Sequence, residues 1–377
     1  MPSFQKFFFL PLLAASVLGS ACGDGEPSQL VLMPPSISSC QFGWQPMTKP
    51  RTPYMPPRAL RYRDGELIYF ACDDLVCNLE AYPLQGGAPR VVATDVSVWD
   101  LWLEGDEVLF AYGANLWQVP VSGGKPTRLI TDLSPGQSIY AHALTATALI
   151  WSNMAWDDAA GQITDEIWSA QRDGSGTPTL LTNIGSAGVV QQMEVVGDSL
   201  LVAGQGATGA VVPLSGGAHR ILGSAGYWYV GADSRGVYGT TQTGNSFAMH
   251  VAPIDGGPSH PFWSSMPPYG TVEHIWADKN GGWFAVVSEL FDDAKLHHSA
   301  FFIDSQQNAT RVACLHDSTV LEVIDGLPAF TDEAAYIVGQ NVTNPESASW
   351  QIIRIPRPEA QRSAPPWFGA PSSDAGN

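Results

Sequence analysis

Three aromatic residues, Trp99, Tyr140 and Trp228, and two polar ones, Gln191 and His274, share a position in the chain. Each lies ten residues before the middle of a short apolar run, at Leu109, Ile150, Tyr238, Leu201 and Phe284 respectively. Asp100, Gln192 and Glu273 adjoin them in sequence. Aromatic faces with a few polar groups are what sites for small ligands and sugars use. A histidine beside a carboxylate, here His274 with Glu273 or Asp100, is the minimum for general acid–base chemistry. Large aromatics gathered at one place also fill holes, so the same residues read either as the mouth of a ligand site or as a plug.

Other stretches carry less. GQGATG, with Gly204, Gly206 and Gly209, has the glycine spacing of a dinucleotide loop. Such a loop needs a helix to open behind it, whereas the β-branched AVVPLSGG follows, so the stretch reads as a hairpin connection. No GxSxG, HExxH or Walker A pattern occurs. His297 and His298 near Asp292 and Asp293 read as a solvated loop. The acids Asp157, Asp158, Asp165 and Glu166 offer oxygen ligands for calcium but lack the loop spacing of an EF-hand. No metal site, catalytic residue or cofactor is assigned.

The elements that position these residues repeat. AYPLQGGAPRVV, LWQVPVSGGKPTRLI, AVVPLSGGAHRIL and MHVAPIDGGPSHPF each join a strand to a glycine turn, at Gly87, Gly124, Gly217 and Gly257, with a weaker copy at Gly176. Short apolar strands (LIYFA, EVLFA, ALIWS, SLLVA, GVYGT, GWFAV, AAYIV) precede them, most led by a Gly, Asp or Asn turn suited to hairpins. FFIDSQQNATRV and QIIRIPRPEAQR stand in for the glycine turn in the last two copies. A period of about 40–50 residues with several short strands per copy is the signature of a propeller. The expectation is all-β: a β-propeller of seven four-stranded blades, six remaining open, over residues 57–362. The polar stretches 156–166 and 290–299 fall between second and third strands and so on one rim. Trp117, Trp168 and Trp350 are expected between blades.

Composition agrees. The chain has 377 residues, 45% hydrophobic and only 14% charged, with 38 Gly and 29 Pro. That suffices for a large core and excludes global disorder, and it does not resemble a coiled coil. With 18 basic against 36 acidic residues the net charge is -18, which argues against a nucleic-acid partner.

The chain opens MPSFQKFFFLPLLAASVLGSAC. One lysine, an apolar run too short to span a bilayer, and small residues before Cys22 form an export signal. The stretch resembles the lipobox of bacterial lipoproteins, departing from it at Gly19, where Leu is usual. The resemblance implies removal of residues 1–21, acylation of Cys22 and, because Gly23 rather than Asp follows, an outer-membrane address with a periplasmic or surface face. Acyl chains contribute about 0.8 kcal/mol per buried CH₂, and two or more anchor stably. Residues 22–56, rich in proline, read as a tether, and 363–377 as a flexible tail. An exported protein uses cysteines in pairs. Of the three connectivities open to Cys40, Cys72, Cys77 and Cys314, Cys72–Cys77 with Cys40–Cys314 is favoured.

The repeats resemble the TolB-like and YWTD-like propellers of bacterial envelope proteins. Propellers host many unrelated activities. The expectation is therefore a membrane-anchored, non-catalytic binding propeller with an envelope protein or a cell-wall glycan as partner. A lyase or hydrolase with its site at the channel mouth is the alternative.

Overall fold

A computed structural model describes residues 45–48, 59–73, 76–96, 98, 100–112, 115–130, 138–157, 162–185, 190–204, 209–222, 228–243, 246–263, 271–278, 281–290, 296–314, 321–323, 328–341 and 349–358. Within them are 29 strands and no helix. The first, β1 (Gln45–Pro46), belongs to the last blade. Blade one is β2 (Leu60–Arg63), β3 (Glu66–Asp73), β4 (Val76–Pro83) and β5 (Arg90–Thr94), and blade two is β6 (Asp100–Glu104), β7 (Glu107–Tyr112), β8 (Asn115–Pro120) and β9 (Thr127–Arg128). Blade three is β10 (Ser138–Leu144), β11 (Ala148–Asp157), β12 (Gln162–Gln171) and β13 (Thr179–Asn183). Blade four is β14 (Val190–Val196), β15 (Ser199–Gly204), β16 (Gly209–Pro213) and β17 (Arg220–Leu222). Blade five is β18 (Trp228–Asp233), β19 (Gly236–Thr243), β20 (Ser246–Pro253) and β21 (His260–Trp263). Blade six is β22 (Thr271–Ala277), β23 (Trp283–Leu290), β24 (Leu296–Ile303) and β25 (Ala309–Cys314). Blade seven has a divided first strand, β26 (Leu321–Val323) and β27 (Ala329–Phe330), followed by β28 (Ala334–Asn341) and β29 (Ser349–Pro356). The fold is a seven-bladed β-propeller, and the six-bladed option falls.

The ring closes through the N-terminal segment. Gln45 and Pro46 pair with Arg354 and Ile353, and the Met47 amide donates to the Ile352 carbonyl at 2.8 Å. Residues 45–48, read from sequence as tether, thus supply the outermost strand of blade seven. The ring reaches upstream of residue 57, because an unpaired outer edge on β29 would leave backbone groups without partners. Tyr82 of blade one fixes the same segment, its hydroxyl donating to the Met47 carbonyl at 2.5 Å.

Strand alternation supplies one apolar cluster per blade junction. Leu60 and Tyr69 of blade one meet Tyr336, Trp350 and Ile352 of blade seven, with the Tyr69 and Trp350 rings edge to face at 6.2 Å. Leu109 and Leu116 of blade two meet Leu149 and Trp151 of blade three. Trp117 and Trp168 also pack at blade junctions, as expected. Each buried side chain of this size contributes about 1.5–3 kcal/mol.

The glycine pairs have a physical reason. The Gly124 amide in blade two donates to Val92 of blade one at 3.0 Å, and Gly217 in blade four does the same to Leu181 of blade three. Val92 and Leu181 are the extra residues at irregularities in their outermost strands, so the bulge that blunts the edge also offers a carbonyl to the next blade. A Cβ on Gly123 would stand 3.3 Å from the Val92 oxygen. Arginine repeats the link. Arg90 donates to the Val121 carbonyl at 2.7 Å, and Arg220 donates to the equivalent Ile254 carbonyl.

The two polar stretches between second and third strands differ from a pure loop. In blade three, pairing continues to Asp157↔Gln162, so 156–166 is mostly an extension of the hairpin. In blade six, it continues to Leu290↔Leu296.

Candidate functional site

Two-residue turns set the height of each innermost strand. Three residues before Asp64–Gly65, Gly105–Asp106, Gly197–Asp198 and Ser234–Arg235 stand Arg61, Trp102, Glu194 and Gly231. They pair with Ile68, Leu109, Leu201 and Tyr238, at the same level as Ala143↔Ile150, Trp276↔Phe284 and Ala329↔Tyr336. One level of the hub therefore carries Arg61, Trp102, Ala143, Glu194, Gly231, Trp276 and Ala329. Counting ten back from strand middles missed this ring. The offset between paired residues at this level is seven in every blade but the sixth, where Trp276↔Phe284 makes it eight, and in blade one the level pairs with Ile68, one residue before the strand middle Tyr69. Measuring from the turns would have found it.

That ring carries opposite charges. Arg61 donates to the Leu60 carbonyl at 2.9 Å. Burial lowers its pKa, while Asp100 and Glu194 act in the opposite direction. Glu194 is pushed up to about 7, chiefly by burial and secondarily by the charge of Asp233, with Arg61 opposing. Water reaches the Glu194 side chain, so the push is that of a wet channel walled by protein rather than of a sealed core. Asp233 is itself committed elsewhere, accepting from Arg235, Tyr238 and Trp283.

Just above the ring, Asp100 of blade two meets His142 of blade three, Nδ1 to Oδ2 at 2.6 Å, with the imidazole wholly sealed from solvent. In blade six, Glu273 accepts from the Ser288 hydroxyl, and His298 Nε2 lies 3.7 Å from its other oxygen. Burial would raise Glu273, but His298 and Ser288 outweigh it and hold the carboxyl below its ordinary range. The serine gives its hydrogen bond to the carboxylate rather than to the imidazole. This is therefore not the arrangement in which a histidine activates a hydroxyl nucleophile.

Of the hub residues singled out from sequence, Asp100, Gln192, Glu273 and His274 are described with their side chains. Both carboxylates are engaged by a histidine other than His274, whose ring stacks on Trp276 with centroids 5.2 Å apart. Trp99 and the side chains of Tyr140, Gln191 and Trp228 lie outside the described residues. The strand register does locate Tyr140, Gln191 and Glu273: all three fall at pairing irregularities, between Ile139 and His142, Val190 and Gln192, and Val272 and His274. Bulges re-aim side chains and gather beside binding sites. Gln192 donates to the Ala232 carbonyl at 3.2 Å and so ties blade four to blade five.

The remaining candidates separate. Asp165 and Glu166 are consecutive on β12 and point to opposite faces. Glu166 accepts from the Trp168 indole at 2.9 Å. Asp165 is sealed, its Oδ1 has no partner among the described residues, and burial pushes its pKa up to about 7. Asp158, Asp292 and Asp293 lie outside the described residues. Among the described residues no three His, Cys, Asp or Glu side chains stand together as a metal site. Gly204 ends β15 and Gly209 opens β16, so GQGATG is a hairpin connection. Cys72 and Cys77 are cross-strand partners joined by a disulfide at the tip of the β3–β4 hairpin. Cys314 is also disulfide-bonded, to a cysteine outside the described residues. Cys22, Cys40 and the segments 1–44 and 359–377 lie outside them too.

No family model matches the chain, and no curated protein matches it either. Solved structures do. An oligogalacturonate lyase in complex with manganese superposes with a TM-score of 0.60 at 13% identity, covering 85% of this chain and 99% of that one. An acylaminoacyl peptidase in complex with Z-Gly-Gly-Phe-chloromethyl ketone gives 0.53 at 10% identity, over 80% of this chain and 51% of the peptidase. The computationally designed Ika8 protein gives 0.50 at 12%, covering 82% of this chain and 100% of that one. Identities this low establish the propeller fold alone, shared by two enzymes and a designed protein.

Proposed function

We propose that this chain is a lipid-anchored envelope protein whose propeller binds a partner without performing covalent chemistry on it. The contrast between the two rims carries the reading. Third-to-fourth strand connections are near-constant in length, from 84–89 in blade one to 304–308 in blade six. Second-to-third connections on the opposite rim run from two residues (74–75) to seven (342–348). Variation on a rigid scaffold is where recognition is placed. The bulged starts of the innermost strands open on that same rim. The Cys72–Cys77 disulfide suits an oxidising compartment, and the residues before Cys22 support acylation there and, with Gly23, an outer-membrane address. An envelope protein or a cell-wall glycan is the partner class, and nucleic acid is disfavoured by charge.

Alkynyl-palmitate labelling tests the anchor: wild-type protein takes the label and moves with membranes, and Cys22→Ala does neither. Label on C22A would end that part of the reading. For recognition, the detergent-solubilised full chain is titrated with labelled cell-wall glycan fragments and crosslinked in intact envelopes. Glu273→Lys should weaken capture about tenfold, while Asp198→Lys on the other rim leaves it unchanged. Equal effects from both rims would overturn the assignment.

A second reading, a lyase or hydrolase, is favoured by the Glu273–His298 pair at the hub. Turnover of oligogalacturonate or of glycan fragments that disappears in both Glu273→Gln and His298→Gln would replace the binding reading with it.

A further inference from the structure

The level of the hub defined by the turns holds two opposite charges that do not meet. Arg61 comes from blade one and Glu194 from blade four, so they stand on non-adjacent blades of the ring rather than at one blade junction. They influence each other electrostatically, yet they form no ion pair with each other. Among the described residues the Arg61 guanidinium makes one hydrogen bond, to the carbonyl of its own neighbour, Leu60. The Glu194 carboxylate has no donor among the described residues, and water reaches it. Asp100, the other acid near Arg61, is taken by His142.

The rest of the level suits an occupant. Ala143 and Ala329 are sealed in the blade junctions and, like Gly231, add almost no bulk to the level. Trp102, half-buried, packs against the cluster between blades two and three and keeps part of its apolar surface open, while Trp276 is nearly sealed and stacks with His274. Gly231 is small by necessity, since a Cβ there would lie 2.4 Å from the Ile275 carbonyl oxygen. A pair of unmet opposite charges across a walled channel discriminates by sign. A simple anion is drawn to Arg61 but repelled by Glu194 and Asp100, and a simple cation meets the reverse. A molecule carrying both charges satisfies both groups at once, as charge-assisted hydrogen bonds, without leaving either charge unmatched in the channel.

We propose that the hub is a binding site for a small zwitterion, an amino acid or short peptide, with its carboxylate on Arg61, its ammonium on Glu194 and its apolar part against Trp102. This deepens the binding reading by naming a ligand class for the channel and leaves the partner on the variable rim separate.

The test uses the detergent-solubilised full chain and a panel of the twenty amino acids with di- and tripeptides, read by calorimetry and thermal shift. Acetate and methylammonium serve as half-ligands. At least one zwitterion should bind ten times or more tightly than either half-ligand. Arg61→Gln and Glu194→Gln should each weaken it at least tenfold, and the double variant little further, because each charge needs the other. Glu194→Asp, which keeps the charge, should retain part of the affinity and guards against loss of folding in the neutral variants. No zwitterion preference in the wild type, or affinity untouched by E194Q, would overturn the proposal. Failure here with rim-dependent glycan or protein capture intact would remove the hub site alone, whereas loss of both would remove the binding reading.

Discussion

On one rim, first strands turn into second strands through two residues in four blades, and third strands reach fourth strands through five to seven. There arginines and glycine amides cross from blade to blade: Arg63 to Gly105 and Asp106, Arg172 to Glu104, Arg235 to Gly281, Arg357 to Asp278. On the other rim the connections vary, and toward it lie Asp165, whose Oδ1 has no partner among the described residues, the Glu273–Ser288–His298 row and the Asp100–His142 pair. The lesson is a division of labour. One rim holds neighbouring blades together, and its sequence is constrained by what the next blade presents. The other is freer to vary because, among the described residues, fewer side chains cross from blade to blade there, the Asp100–His142 pair being the exception.

The strongest way to break that division is to remove a clamp from the turn rim. Arg357 and Asp278 are each only 2% exposed and join blade seven to blade six, with Arg357 also donating to the Thr331 carbonyl and lying over Phe302. Cutting one partner leaves a buried charge alone, so Arg357→Ala should lower stability by about 3–5 kcal/mol in urea denaturation. A change below 1 kcal/mol would mean that the blades are held by apolar packing alone. A glycine comparison follows on the same rim. Gly65 and Gly174 both have positive φ, but a Cβ at Gly65 meets nothing, whereas one at Gly174 would sit 2.4 Å from the Leu129 carbonyl oxygen of the preceding blade. Gly65→Ala should destabilise by roughly 1–2 kcal/mol. Gly174→Ala should add about 1–3 kcal/mol to that for the clash, and equal melting shifts in the two would deny the close blade contact.

Asp165 gives the opposite sign. Its folded pKa, about 7, lies above the ordinary value of 3.8, so the folded state holds a proton that the unfolded state has lost. The stability linked to that proton is complete below pH 4 and drains away as pH rises through 7. Asp165→Asn should flatten that stretch of the stability–pH curve and raise stability at pH 8 by about 1–2 kcal/mol, the amide lacking a full set of partners itself. Glu194, also raised to about 7, keeps part of the slope in the variant. A slope unchanged by D165N would assign it all to other groups.

How much of this could be read beforehand follows from which contacts are local. The glycine turns and apolar strands recur every 40–50 residues, so blade count and strand order were legible, as was the Cys72–Cys77 bridge across one hairpin. The closure by Gln45–Pro46 was not, because a two-residue strand inside a proline-rich stretch has no period to detect. The ring of Arg61, Trp102, Glu194 and Trp276 was missed for a different reason. Its members are aligned by turn length, and the bulges at Tyr140, Gln191 and Glu273 shift the count for residues placed from strand middles. Asp100 was noticed, but its partner His142 stands one blade away and nothing in sequence links them.

The smallest effect on the fold is the sharpest test of the comparison. The Glu273 carboxylate is 39% exposed and His298 approaches it at 3.7 Å. Its lowered pKa means that it adds stability above the ordinary carboxylate range, lost as pH falls through the folded value. Water screens a pair this open, so Glu273→Gln should lower stability by less than about 1 kcal/mol. The gap between this and the loss expected for Arg357→Ala measures how unequal the rims are. If E273Q proved as damaging as R357A, the variable rim would be a structural rim as well, and its freedom to vary would need another cause. If E273Q left the melting curve in place while altering what the protein retains from envelopes, one rim would be carrying the fold and the other the recognition.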